Sequence, residues 1–144
     1  MPDTPTLTIG EVSDRTGLSV HALRFWEREG ILAKTVHRDS GGRRRYTEDD
    51  VDWLTLCIVL RESGMPVPEI RRYTELVRAG NGNEQDRLVV LRAHEQRILA
   101  QQAALSRSMD LIRFKIGVYE DHLDQTANHG CEIVEDSPEL TAAE

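Results

Sequence analysis

Residues 7–32, LTIGEVSDRTGLSVHALRFWEREGIL, contain two short helix patterns that are separated by a glycine turn. Thr8 followed by Glu11 predicts a capping box at the start of the first helix. Ser19 predicts the cap of the second helix, which Gly30 ends. Two short helices joined in this way are typical of a helix-turn-helix, so this stretch predicts a small helical head.

The following stretch, residues 37–54, reads HRDSGGRRRYTEDDVDWL. The glycine pair at 41–42 predicts a turn between two short strands, with residues 31–34 extended before it and residues 43–46 returning. Thr47 then predicts the cap of a third helix, whose first turn is acidic. The pattern indicates a small two-stranded wing beside the helix-turn-helix.

Charge is distributed unevenly along the 144 residues. The net charge of −7 taken alone argues against nucleic acid. However, eight acids and no Lys or Arg follow residue 119, so residues 1–119 carry +1 and residues 21–46 carry +4. A local basic segment matters more for binding phosphate than the charge of the whole chain.

The C-terminal half contains one long helix pattern with apolar residues at alternating spacings of three and four. Such a stripe over about 36 residues predicts a coiled-coil seam, and a helix of roughly 54 Å needs a partner helix. Because each chain has one such helix, we predict that a second copy of the chain supplies the partner helix in a homodimer. The predicted dimerisation residues are Leu91, Ile98, Leu105, Met109, Ile112, Ile116 and Tyr119. We therefore predict a DNA-binding head at 1–80, a dimerisation helix at 81–123 and an acidic flexible tail at 124–144.

The basic residues of the head are the strongest candidates for a binding site. His21, Arg24 and Arg28 share one helix face and suit the DNA major groove, where arginine bonds base edges or phosphates. The wing arginines can hold flanking phosphates. An ordinary solvated basic face is the alternative. The predicted DNA-binding residues are Ser19, His21, Arg24, Trp26, Arg28, Arg38, Arg43, Arg44, Arg45 and Tyr46.

Together with LRESGMPVPEIRRY at 60–73 and the long last helix, the two quoted stretches resemble the MerR family of transcription regulators. The resemblance covers residues 7 to about 123. It implies a mainly α fold: a winged helix-turn-helix head followed by an antiparallel coiled-coil dimer. It also implies a protein that binds a near-palindromic promoter operator, distorts an overlong spacer and so activates RNA polymerase. The two widely spaced cysteines and the start of the sequence separately predict a cytoplasmic location.

Individual residues match the family pattern at several positions. Arg24 matches the arginine of the family's RYYE stretch, and Trp26 stands where tyrosine is usual. Arg38, Arg44 and Tyr46 match the wing pattern. Arg43 replaces a common tyrosine, which predicts a stronger dependence of DNA binding on salt.

The part of the chain after the wing resembles the subgroup without a large effector domain, which responds to aldehydes, electrophiles or nitrosative stress. Some of its members sense through a cysteine on the helix after the wing, where Cys57 lies; the alternative is that Cys57 only packs in the core. His122, His129 and Cys131 are ligand types for zinc or copper and make a metal-responsive regulator an alternative, although we predict no metal or other cofactor.

Other classes of function have less support. No membrane span, secretion signal or disulfide pair is predicted. No spacing typical of a catalytic triad, P-loop or dinucleotide site occurs, so we predict that the protein is not an enzyme. A coiled-coil module that recruits another protein without touching DNA remains the alternative. The inducer, the target promoter and the behaviour of the uninduced protein are not encoded in these patterns.

Overall fold

The computed structural model describes the backbone of residues 4–135 and the side chains of residues 4–128. This part of the chain contains mainly helices and a small sheet, as predicted. In chain order the elements are β1 (Leu7–Thr8), α1 (Ile9–Thr16), α2 (Val20–Arg28), β2 (His37–Arg38), β3 (Arg44–Tyr46), α3 (Glu48–Glu62), α4 (Val67–Arg78) and α5 (Glu84–Glu135).

The caps of the helix-turn-helix follow the sequence pattern. The backbone N–H of Glu11 donates to Thr8 Oγ1 at 3.2 Å, and the N–H of Thr8 donates to the Glu11 carboxylate at 3.0 Å. Gly17 ends α1 with a φ of 78°, a left-handed conformation that glycine adopts without steric cost. Ser19 Oγ then accepts from the N–H of Ala22 at 3.0 Å and starts α2. The predicted helix-turn-helix is therefore confirmed.

The sheet differs from the predicted two-stranded wing. Three antiparallel strands lie in the order β1-β3-β2, with Leu7 opposite Tyr46 and His37 opposite Arg45. The predicted strand at 31–34 is wrong, because Ile31 and Leu32 are both buried in the core instead of alternating between two faces. The short segment before α1 takes the place beside β3 that a two-stranded ribbon leaves open.

One apolar core joins the elements of the head. It is built from the four helices α1 to α4, from β3 and from the segments after α2 and before α4. Its buried members are Val12, Leu23, Trp26, Ile31, Leu32, Val36, Tyr46, Val51, Leu54, Cys57, Leu60, Met65 and Ile70. Trp53 borders this core, donates from Nε1 to the carbonyl of Ile31 at 2.6 Å and stacks on Tyr73 with ring centroids 5.7 Å apart. These contacts hold α3 against the segment after α2 and against α4.

Helix α3 buries one side only. Thr47 and Asp50 form a capping box at its start, and Leu54 and Cys57 lie in the core. Leu56 and Val59 are exposed on the opposite side of the helix.

Helix α5 is longer than predicted. It continues past Leu123 to Glu135, so the predicted end at residue 123 is wrong, and the part of the predicted flexible tail at 124–135 is helical. Residues 136–144 lie outside the described part of the chain. Of the helices within residues 4–135, none combines the length and the apolar character that crossing a membrane requires.

The chain divides into two compact units between Ile98 and Leu99, not at residue 80. The first turns of α5 belong to the head unit, where Leu91 packs against the core and His94 is 3% exposed. Leu91 was predicted to face a partner helix, but it faces the core of its own head. The seam prediction missed this because core and seam residues follow the same helical spacing.

Candidate nucleic-acid interface

Helix α2 presents a basic face to solvent. His21, Arg24 and Arg28 are exposed, whereas Leu23 and Trp26 are buried on the other side of the helix. Within the described residues, the side chains of these three basic residues have no hydrogen-bond partner. The predicted basic face of the recognition helix therefore exists and is available to a ligand. Ser19 lies at the start of this helix, where its side chain is engaged in the cap.

Trp26 does not belong to this face. Its side chain is only 7% exposed and lies in the core. The predicted contact of Trp26 with DNA is therefore wrong for this conformation. The reason is helix periodicity, because Trp26 lies three residues after the buried Leu23 and shares its side of the helix.

Glu27 holds the wing against α2. Arg44 Nε donates to its carboxylate at 2.5 Å, and an Arg38 nitrogen lies 3.9 Å from the same group. Arg38 also donates to the carbonyl of Gly42 at 3.0 Å, across the tip of the wing. Two of the predicted phosphate-binding arginines are thus oriented by one carboxylate on the recognition helix.

The other two wing arginines have different surroundings. Arg45 points to the opposite side of β3 and donates to Thr6, at 2.9 Å to Oγ1 and 3.2 Å to the carbonyl. Arg43 is exposed near the tip of the wing, and no partner of its side chain occurs among the described residues. The wing therefore offers Arg43 as its most accessible cation.

Tyr46 lies beneath the wing and not on its surface. Its side chain is fully buried, and its hydroxyl has no hydrogen-bond partner in the described part of the chain. Burial raises the pKa of the phenol, and the nearby carboxylate of Glu27 adds to this increase. The predicted contact of Tyr46 with DNA is wrong for this conformation, because Tyr46 packs in the core on the side of β3 that faces the helices.

A groove joins the recognition helix to the wing. Its volume is about 290 Å³, and it is lined by Thr8, Ile9, Arg24, Gly42, Arg43 and Arg44. Three arginines from two separate elements thus border one concave surface. Cations on a helix beside a hairpin tip match the geometry of a helix in a groove of DNA with phosphates at its flank.

Phe25 is a surface residue of α2 that is not among the predicted DNA-binding residues. Its side chain is 38% exposed and lies between His21 and Arg28 at helical spacing. The spacing itself carried this signal, because positions 21, 25 and 28 share one face. An apolar ring in this place can contact the methyl group of thymine.

Cys57 does not have the surroundings of a reactive thiol. Its side chain is fully buried among core residues, and burial raises the pKa of the thiol to about 12. Only the thiolate is a good nucleophile, so this environment contradicts a reactive sensor and favours packing.

Only one of the three alternative metal ligands lies among the described side chains. His122 is exposed on α5, while the side chains of His129 and Cys131 lie outside the described residues. Among the side chains at 4–128, no group of three or more His, Cys, Asp or Glu residues could hold a metal ion.

In the second unit, the predicted seam residues are all exposed in the single chain. They are Leu105, Met109, Ile112, Ile116 and Tyr119. A second exposed stripe, formed by Leu111, Phe114 and Val118, lies on roughly the opposite side of α5 and was missed. A strict seam pattern selects one stripe and gives no signal for another.

Comparison with known proteins identifies the fold and its class. Residues 7–76 match the MerR HTH family of regulatory proteins. An HTH-type transcriptional regulator of Haemophilus influenzae is 33% identical over 115 residues, covering 80% of this chain and 84% of the relative. The chain belongs to the MerR family.

Solved MerR-family structures support the same assignment. HiNmlR, described as a MerR family regulator lacking the sensor domain and bound to promoter DNA, is 32% identical with a TM-score of 0.74, covering 81% of this chain and 92% of that structure. A putative MerR family regulator of Listeria monocytogenes has a TM-score of 0.84 at 26% identity, covering 91% and 99%. As a MerR-family protein, the chain is a DNA-binding transcription regulator and not an enzyme.

Proposed function

We propose that this MerR-family protein acts as a homodimer that binds a near-palindromic operator in a promoter and activates transcription by distorting an overlong spacer. The observation that carries the proposal is the groove between α2 and the wing, where Arg24, Arg43 and Arg44 meet. The promoter DNA in the HiNmlR structure supports the choice of ligand.

Each part of this interface has a distinct task. Arg24 and Arg28 on α2 suit base edges and nearby phosphates, because both are exposed on one helix face. Arg43 suits a flanking phosphate, since its guanidinium is exposed at the wing. Arg44, which is paired with Glu27, fixes the angle between these two contacts more than it supplies free charge.

The dimer follows from the exposed stripe on α5. Leu105, Ile112 and Tyr119 are 70%, 55% and 65% exposed in the single chain. Burial of apolar surface stabilises an interface by about 25 cal/mol per Å². A second α5 with the same stripe is the simplest partner that would bury these side chains. Two copies of the basic face then match the two halves of a palindromic operator.

Distortion of DNA follows from the same symmetry. Two heads on a shared helical spacer hold two half-sites at a set separation, and DNA that does not match this separation must twist or bend. Bringing misaligned promoter elements into register makes them usable by RNA polymerase. This is the family mechanism that the resemblance implies.

Substitution of Arg24 tests the interface. Arg24→Ala is expected to weaken specific operator binding by about 1–3 kcal/mol, measured by titration of a labelled operator at fixed salt. Arg92→Ala, which removes an exposed arginine from α5, is the matched control and should bind normally. Unchanged binding by Arg24→Ala would reject α2 as the recognition helix.

A footprint tests the promoter mechanism. The operator should lie inside the spacer between the two polymerase elements, and shortening that spacer to its usual length should make transcription in vitro independent of the protein. An operator outside the spacer, or no effect of spacer length, would contradict activation by distortion.

Burial of the Cys57 thiol supports a packing role for this residue and not a sensing role. Comparison of Cys57→Ser with Cys131→Ser in the transcription assay, with and without an electrophile, tests the thiol hypothesis. If the response to the electrophile is lost in Cys57→Ser but kept in Cys131→Ser, Cys57 is the sensor.

A further inference from the structure

A second groove lies within the head unit, between α4 and the first turns of α5. Its volume is about 230 Å³, and it is lined by Glu69, Arg72, Val89, Val90, Ala93 and Arg97. It is separate from the groove at the wing, whose lining residues come from α2, the start of α1 and the wing. Its floor is apolar and its rim is charged.

The apolar floor is not shielded by the chain itself. Val89 is 66% exposed. Val89, Ala93 and Arg97 follow each other at four-residue spacing and form one row along α5. An occupant of the groove would cover this row.

The core of the head does not cover this row. At about 100° per residue, Leu91, which packs against the core, lies on roughly the opposite side of α5 from positions 89, 93 and 97. The core therefore leaves the groove open. The volume suits a small molecule, because a dry cavity of about 150 Å³ already accommodates a benzene ring.

The rim favours a negative charge. Arg97 donates from both terminal nitrogens to Glu69, one of them at 2.9 Å, so these two charges cancel. The Nε of Arg97 is buried without an acceptor in the described part of the chain. Arg72 is exposed, and its side chain has no partner among residues 4–128, which leaves one unneutralised cation at the rim.

We propose that this groove binds a small apolar monocarboxylate, with an aromatic ring or short acyl chain against Val89, Val90 and Ala93 and the carboxylate at Arg72. Arginine presents a planar pair of donors that matches a carboxylate in geometry and charge. The apolar part is held by burial of surface that is otherwise in water. Use of the groove as an effector site rests on the proposed regulatory function, whereas the binding itself does not.

Methyl NMR of the full chain without DNA tests the site, with benzoate as the probe. Benzoate should shift the methyl signals of Val89 and Val90 in a saturable manner and leave those of the buried Val12 and Val51 unchanged. Benzamide, an uncharged molecule of the same shape, should bind about ten-fold more weakly, because it lacks the charge-assisted hydrogen bonds to Arg72.

Variants separate the parts of the site. Arg72→Ala should weaken benzoate binding about ten-fold, and Ala93→Leu, which fills the floor, should abolish the shifts while leaving the circular dichroism spectrum unchanged. Arg78→Ala, another exposed arginine on α4 that does not line the groove, is the matched control and should bind normally.

Three outcomes would overturn the proposal: no saturable shift in the millimolar range, equal affinity for benzoate and benzamide, or equal weakening by Arg72→Ala and Arg78→Ala. Operator binding is measured separately. A protein that fails to bind DNA but binds benzoate at Val89 would reject the proposed function and retain this site.

Discussion

Single side chains show how exposure decides the role of a residue. Arg24 and Trp26 are two positions apart on α2, yet one is exposed beside the wing and the other is packed in the core. Cys57 and His94 are likewise defined by burial, which disfavours their charged forms. Two predictions follow directly from this.

The first concerns the reactivity of Cys57. In a Cys131→Ser background, a maleimide should label native protein far more slowly than an exposed thiol at pH 7, because the thiol is buried and its pKa is raised to about 12. In denaturant, labelling should be fast. Mass spectrometry of the labelled fraction against time measures both rates, and rapid labelling of the native protein would contradict the packing role.

The second concerns His94. Its Nδ1 lies 3.2 Å from an Arg97 nitrogen, which can only donate, and its Nε2 lies 2.7 Å from Ser63 Oγ. The ring is therefore held neutral, with the proton on Nε2. Burial, and then the charge of Arg97, lower the pKa of His94, while Glu69 on α4 opposes the shift.

The sign of the pH effect follows from this lowered pKa. Below about pH 6.5 the unfolded chain binds a proton at His94 that the folded chain resists, so stability falls as pH decreases towards the folded pKa. Each unit of difference corresponds to about 1.4 kcal/mol. Urea unfolding at pH 7 and pH 5 should show a smaller pH dependence in His94→Gln, whereas His122→Gln, on an exposed residue of α5, should behave like the native protein.

At the scale of elements, short-range patterns explain where helices start, and contacts between elements explain the wing. The hairpin formed by β2 and β3 is too short to be stable alone. It is held by pairing of β3 with β1 and by the ion pair between Arg44 and Glu27, whose side chains are 21% and 24% exposed.

Substitution of Glu27 tests this support of the wing. Glu27→Gln should increase hydrogen exchange at the wing amides of Asp39 and Gly42 about five-fold, which corresponds to loss of about 1 kcal/mol from a partly buried ion pair. Glu29→Gln, which breaks the ion pair between Glu29 and Arg71, is the control and should leave these amides unchanged. Equal exchange in both variants would contradict the role of Glu27.

At the scale of the whole molecule, the features expected to bind DNA and the features expected to mediate dimerisation lie in different units of the chain. The +4 of residues 21–46 lies in the head, while the eight acids after residue 119 lie far along the sequence. The exposed stripe of α5 is the feature of the second unit that calls for a second copy. Assembly and DNA binding should therefore be linked.

A charge in the seam tests this link. Ile112→Glu should convert the proposed dimer to a monomer at micromolar concentration, because it places a carboxylate in the predicted apolar seam, and should abolish high-affinity operator binding. Ser106→Glu adds the same charge outside the stripe and should leave both properties unchanged. Light-scattering mass and an operator titration measure the two, and a dimeric Ile112→Glu would reject the seam.

Local sequence patterns were sufficient to predict the helix-turn-helix and the basic face of α2. They also predicted the glycine tip of the wing and the caps at Thr8, Ser19 and Thr47. These features depend on residues a few positions apart, whose spacing sets local hydrogen bonds and helix faces. Family membership was also accessible, because the motifs occur in a specific order.

Which of these residues are exposed depends on contacts between distant parts of the chain, and these contacts are visible in the tertiary structure alone. Tyr46 and Trp26 are buried in the core, and Leu91 packs against the core of its own head. Strand β1 pairs with β3, although the two strands are far apart in sequence. Each of these results depends on which distant surface a side chain meets. An apolar or aromatic residue at helical or strand spacing can pack in a core, contact a partner chain or contact DNA. The contacts that it makes in the folded chain show which of these applies.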